Sequence, residues 1–122
     1  MISESLEDAM NEQMKNEFYS AYLYLSMAAY FDDQDFDGFS NWFREQAREE
    51  QFHAMKFYHF LNERGGRVDL RTIEKPQKEF KSVEDVFETS LDHEKKVTSM
   101  INDLMDMAKE EGDHASINFL NW

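Results

Sequence analysis

Cysteine is absent from the 122 residues, which removes both a disulfide framework and any thiolate metal site and leaves the redox compartment open. Positive charge is scarce as well. Thirteen Lys and Arg stand against 26 Asp and Glu, and the net charge of −13 argues against nucleic acid or an anionic membrane as a partner, since phosphate contacts need a basic patch. Cations fit such a chain better. No run of ~18 apolar residues occurs, and no charged segment followed by an apolar one opens the chain, so neither membrane spanning nor export is indicated and a cytoplasmic setting is the default. Proline occurs once and glycine four times, and no internal repeat or low-complexity segment interrupts the pattern. What the chain has in quantity is apolar bulk. With 41% hydrophobic residues, including eleven Phe, eight Met and five Tyr, one compact domain spanning 1–122 is expected to bury a real core.

The few Gly and Pro residues fall between helical patterns, at Gly38, Gly65-Gly66, Pro76 and Gly112. Three long helices follow. The first is expected from an N-cap at Ser3 to about Phe31, the second from about Asp37 to Arg64, and the third from Ser82 to near Glu111. Each should be ~40 Å long at ~1.5 Å per residue. A fourth helical pattern opens at Asp113 and stops at Trp122.

Connection lengths predict the topology. The few residues between the first two helices require antiparallel neighbours. Residues 67–81 have no sustained helical period and, at ~3.3 Å per residue, reach ~50 Å, far enough to cross a bundle end to end. The second and third helices then run parallel. The fold class is all-α, a four-helix bundle with one long crossover of the ferritin-like kind, its fourth helix only begun in these residues.

Steps of three and four define an inward stripe on each helix. Leu6, Met10, Met14, Glu17, Ala21, Tyr24, Ala28 and Phe31 form the first; Phe39, Phe43, Gln46, Glu50, His53, Phe57 and Phe60 the second; Val83, Phe87, Ser90, Glu94, Val97, Ile101, Leu104 and Ala108 the third. Glu17, Glu50 and Glu94 thus all lie near mid-length on stripes that are otherwise largely apolar. Buried carboxylates cost several kcal/mol each unless compensated, and no Lys or Arg falls on these stripes at that level. A metal ion is the remaining simple counter-charge. Glu50 and His53, at i and i+3, point the same way from one helix, and oxygen ligands with a single imidazole favour Fe, Mn or a similar ion over structural zinc.

Alone, a Glu-x-x-His pair more often marks a solvated or otherwise satisfied pair than a ligand set, and a lone Glu17 or Glu94 would read as a core-edge acid. Their joint placement on three facing stripes is what favours the metal. Glu49, about 100° round the helix from Glu50, reads as a surface acid. Tyr24 reads either as a core residue with a bonded hydroxyl or as a redox-active neighbour of the site. His59, His93 and His114 read as structural or surface residues.

The segments NEQMKNEFYSAYLYLSMAAYF, FSNWFREQAREEQFHAMKF, NERGGRV, LDHEKKVT and HASINFLNW together resemble a bacterial or archaeal non-haem ferritin over essentially the whole chain. The resemblance implies iron storage and detoxification: a ferroxidase di-iron centre inside the bundle, Fe(II) oxidised by O2 or H2O2, and ferric mineral held in a hollow homo-oligomeric shell, usually of twenty-four subunits. It implies that Glu17, Glu50 and His53 hold the first iron, that Glu50 bridges to a second held by Glu94, that Tyr24 stands beside the centre, and that Glu49 helps bind a third iron. No haem is expected, because Gln51 rather than Met follows Glu50. The DNA-protecting miniferritins are a poorer match, as there is no basic tail. The family's fourth helix continues beyond FLNW and adds carboxylates to the second iron, so the chain reads as truncated there. The alternative is a non-catalytic helical assembly protein that keeps the bundle without the oxidation.

Overall fold

The computed structural model describes residues 1–122 and contains four helices, α1 Glu4–Asp33, α2 Asp37–Glu63, α3 Val83–Glu111 and α4 His114–Phe119. Their ends follow from local hydrogen bonding. Ser3 Oγ accepts from the amide of Leu6 at 3.2 Å and Ser82 Oγ from that of Asp85 at 3.1 Å, so the first and third helices begin on side-chain caps. The first helix runs two residues past the expected Phe31, because the Gln34 amide still reaches the carbonyls of Tyr30 and Phe31. Asp35, at φ 61°, then reverses the chain in a conformation that Asp tolerates better than most residues.

At the other end of α2 the amide of Gly66 bonds the carbonyl of Leu61 at 2.8 Å while Gly65 sits at φ 74°, a closure that favours glycine. Gly112 ends α3 in the same left-handed region. The short α4 is capped by Asp113, whose Oδ1 accepts from the Ser116 amide at 3.0 Å. Arg64 grips the same carboxylate with two hydrogen bonds of 2.8 and 3.0 Å, tying the end of α2 to the start of α4 and holding the Asp113 carboxyl below its ordinary range. The expected helical run to Trp122 is shorter than the pattern implied: the helix stops at Phe119 and a turn carries the chain through Leu120.

Residues 67–81 follow α1 from its N-terminal to its C-terminal end. Arg71 bonds Asp8 and Glu12, the Asp69 amide bonds Asn11, the Gln77 carbonyl accepts from Ser26, and Phe80 packs edge-on against Tyr30. The third helix therefore starts beside the C-terminal end of α1, where Val86 joins Phe31 in the core, and finishes where Leu104 and Ala108 join Leu6 and Met10. It runs antiparallel to α1 and parallel to α2. This is the four-helix bundle with one long crossover.

The core divides in two. One apolar cluster centres on Met10, Met14, Phe57 and Leu61, the other on Tyr24, Phe31, Phe43 and Val86. The buried polar residues Glu17, Ser20 and Glu50 belong to neither cluster, and in sequence they fall between the two sets. The third helix is turned further toward α1 than its stripe implied. Val86, Ser90, Leu104 and Ala108 are buried, whereas Phe87 and Glu94 are exposed. Phe39 and Trp42 of α2 are exposed alongside them. None of the helices is long and apolar enough to cross a membrane.

Candidate metal centre

Glu17 arrives from the middle of α1 and Glu50 with His53 from the middle of α2, carried there by the same apolar steps that pack the two helices together. A ligand atom from each lies within 4.8 Å of the others. Glu17 is 1% exposed and Glu50 7%. The Oε1 atom of Glu17 accepts a long hydrogen bond of 3.4 Å from Gln13, while its Oε2 is buried and accepts none. Glu50 Oε2 stands 3.3 Å from His53 Nδ1.

Electrostatics separates the two carboxyls. Burial, followed by the hydrogen bond and charge of Glu50, pushes the Glu17 carboxyl up to about 8. Burial acts on Glu50 too, but hydrogen bonds from His53 and Glu17 outweigh it and hold that carboxyl below its ordinary value. At neutral pH the metal-free pair keeps a proton on Glu17. A dication held between the two carboxyls would take the place of that proton.

The trio lines a cavity of about 190 Å3 together with Glu94, Val97, Ile101, Asn102 and Trp122. Glu94 is on the wall of this cavity but outside the close group, and its carboxylate accepts a hydrogen bond from the Tyr24 hydroxyl. Tyr24 is fully buried, and burial together with Glu94 raises its phenol above the ordinary range. Glu49 is exposed and apart from the trio.

Two neighbours escaped sequence reasoning. The Trp122 ring lies 4.6 Å from that of His53. His93, read from sequence as structural or surface, is partly buried with its ring edge-on to Tyr24 at 5.9 Å and its Nε2 2.7 Å from Ser20 Oγ. The available signal was its position beside Glu94 and one turn after Ser90, on the edge of α3 that meets α1.

A profile of the ferritin-like domain matches residues 7–122, and the chain belongs to that family. It is 40% identical over all 122 residues to the bacterial non-heme ferritin of Staphylococcus aureus and 44% identical to that of Staphylococcus epidermidis, spanning 74% of each. Among solved structures it is 51% identical to an open-pore ferritin from the hyperthermophilic archaeon Archaeoglobus fulgidus and to a closed form engineered from that protein. Both superpose with a TM-score of 0.99, and the chain covers 75% and 74% of them respectively.

Proposed function

We propose that residues 1–122 form a single ferritin-like di-iron domain that binds Fe(II) and oxidises it with O2 or H2O2, as the first step of iron storage and detoxification in a homo-oligomeric shell in the cytoplasm. The observation that carries this reading is the buried Glu17, Glu50 and His53 group, whose ligand atoms lie within 4.8 Å of one another. Two carboxylates and an imidazole suit Fe(II), and oxygen ligands favour the ferric product, which lowers the cost of losing the electron. Iron is the substrate here. Glu17 and His53 hold the first ion, Glu50 bridges toward a second, and Glu94 reaches that second ion from the opposite wall. Two ions held on one bridging carboxylate deliver two electrons to one oxidant, taking O2 to the level of H2O2. Glu49, on the surface, helps bind a third iron.

Exposed Phe39, Trp42, Phe87 and Leu91 favour a second reading, a helical assembly element whose apolar face is covered by other protein and which oxidises nothing. Aerobic addition of Fe(II) separates the two. Ferric absorbance growing faster than in a protein-free control supports the ferroxidase, and a rate equal to the control supports the assembly element.

A further inference from the structure

Beside the Tyr24–Glu94 hydrogen bond, three rings follow one another between α1 and α3, from buried Tyr24 to partly buried His93 and Tyr19. Tyr24 meets His93 at 5.9 Å between centroids, edge to face at 85°, and His93 meets Tyr19 at 5.9 Å, tilted at 56°. The imidazole is held in one orientation. Ser20 Oγ donates its single proton to the Asn16 carbonyl at 3.0 Å, so at 2.7 Å it accepts from His93, which is fixed as the Nε2–H form. Tyr19 and His93 both line a separate cavity of about 170 Å3 whose rim includes Lys15, Lys96 and Glu74. Lys96 has no carboxylate within ion-pairing distance, so the rim has a positive group free to meet a small anion. The inner end of the series touches the metal centre through Glu94, and the outer end opens to solvent.

We infer that Tyr24, His93 and Tyr19 form a relay that carries a one-electron oxidising equivalent from the metal centre to Tyr19, where a small anionic reductant in the outer cavity removes it. The inference rests on the ferroxidase reading, which supplies the oxidant as the O2- or peroxide-derived species formed during iron oxidation. Tyr24 gives up one electron to that oxidant while its phenolic proton passes along the existing hydrogen bond to Glu94. Tyr19 then gives one electron to the Tyr24 radical through the His93 ring, which serves as a bridge and is not itself oxidised. The proton returns from Glu94 to Tyr24, and the Tyr19 proton leaves to water in the outer cavity. The reductant restores Tyr19 with one electron and one proton. The net result is one oxidising equivalent exported per reductant consumed, with the buried tyrosine intact.

The test follows radicals by rapid-freeze electron paramagnetic resonance after aerobic Fe(II) addition to the 122-residue chain, with ascorbate as the probe reductant and a nitroso spin trap located by peptide mass. Tyr19→Phe keeps the ring against His93 and removes only the redox-active hydroxyl. In the unsubstituted protein the trap is expected on Tyr19, and ascorbate should quench the tyrosyl signal several-fold faster than in Tyr19→Phe, while the growth of ferric absorbance is the same in both. Tyr24→Phe should abolish trapping at Tyr19. Equal radical lifetimes in the unsubstituted protein and Tyr19→Phe, with normal ferric growth, would overturn the relay and leave the ferroxidase standing. So would trapping at Tyr19 undiminished by Tyr24→Phe, which would mean direct attack by a diffusing oxidant. No ferric growth above the control would overturn the ferroxidase reading, and the relay with it.

Discussion

The cavity at the middle of the bundle has two unlike walls. On one, α1 and α2 pack along their whole length, and the residues they contribute to the site are pressed together: Glu17 and Glu50 are buried, and His53 stands within hydrogen-bonding reach of Glu50. On the other, α3 buries only its edge toward α1, and Glu94 remains exposed, oriented by one hydrogen bond from Tyr24. The same mid-helix glutamate on the same kind of stripe therefore has two different characters. Where a second helix covers it the carboxyl is desolvated, as at Glu17, which holds its proton and gains from a cation, and at Glu50, which stays ionised only through its neighbours; where the groove is open, water solvates it. On the proposed reading, the value of a carboxylate as a ligand here depends on what packs over it as much as on its identity.

Stability should show the contrast most strongly. Phe43 is fully buried and Phe87 is 37% exposed although their rings touch at 5.3 Å between centroids. Phe43→Ala should cost about 3–5 kcal/mol in chemical denaturation and Phe87→Ala clearly less. Equal losses would mean that α3 packs as tightly as α2. Metal affinity comes next. On the proposed reading Glu50→Ala removes a ligand shared by both ion positions, and it should weaken anaerobic Fe(II) binding by more than roughly 100-fold, beyond what losing a residue that only supports a ligand costs. A tenfold loss or less would place the ion elsewhere.

The effect of pH is smaller and has a definite sign. The Glu17 carboxyl titrates near 8 in the folded chain against 4.5 when unperturbed, so between those values the native state holds a proton that the unfolded state has lost. Stability of the metal-free protein should fall as pH rises through this window, by at most about 1.4 kcal/mol per pH unit for one proton, and level off above it. The comparison that isolates it is Glu17→Gln, measured alongside from pH 6 to 8.5: the difference between the two proteins should shrink or reverse across that range. A difference constant with pH would show that Glu17 is already ionised. Fe(II) binding to the unsubstituted protein should release that proton, measurable as buffer-dependent binding heat.

Much of this was legible in the sequence, for identifiable reasons. Ser3, Ser82, Gly65 and Gly112 are residues whose local chemistry ends helices, and they do so where expected. Sparse Gly and Pro marked the crossover. The stripes on α1 and α2 were readable because those helices cover each other. On α3 the stripe found Ser90, Leu104 and Ala108 but missed Val86 and placed exposed Phe87 and Glu94 inward, because the rotation depends on neighbours that periodicity does not encode. Buried polar residues were the other blind spot. Asn11 looks like a surface residue until the crossover lies across it and uses its side chain to bond the Arg67 carbonyl and the Asp69 amide. Ser20 and His93 are similar, each ordinary in sequence and tied to the other across 73 residues.

On the proposed reading the α1 and α2 wall makes the stronger ion site and the α3 wall only supplements it. Anaerobic Fe(II) titration of the 122-residue chain, paired with the variants Glu17→Gln and Glu94→Gln, tests this most directly. One tight ion per chain is expected, lost in Glu17→Gln and kept in Glu94→Gln, with a second ion binding only weakly because Glu50 is shared and Glu94 is solvated. Two equally tight ions per chain, or a first ion lost with Glu94 and indifferent to Glu17, would mean that the α3 wall is the stronger site or an equal one.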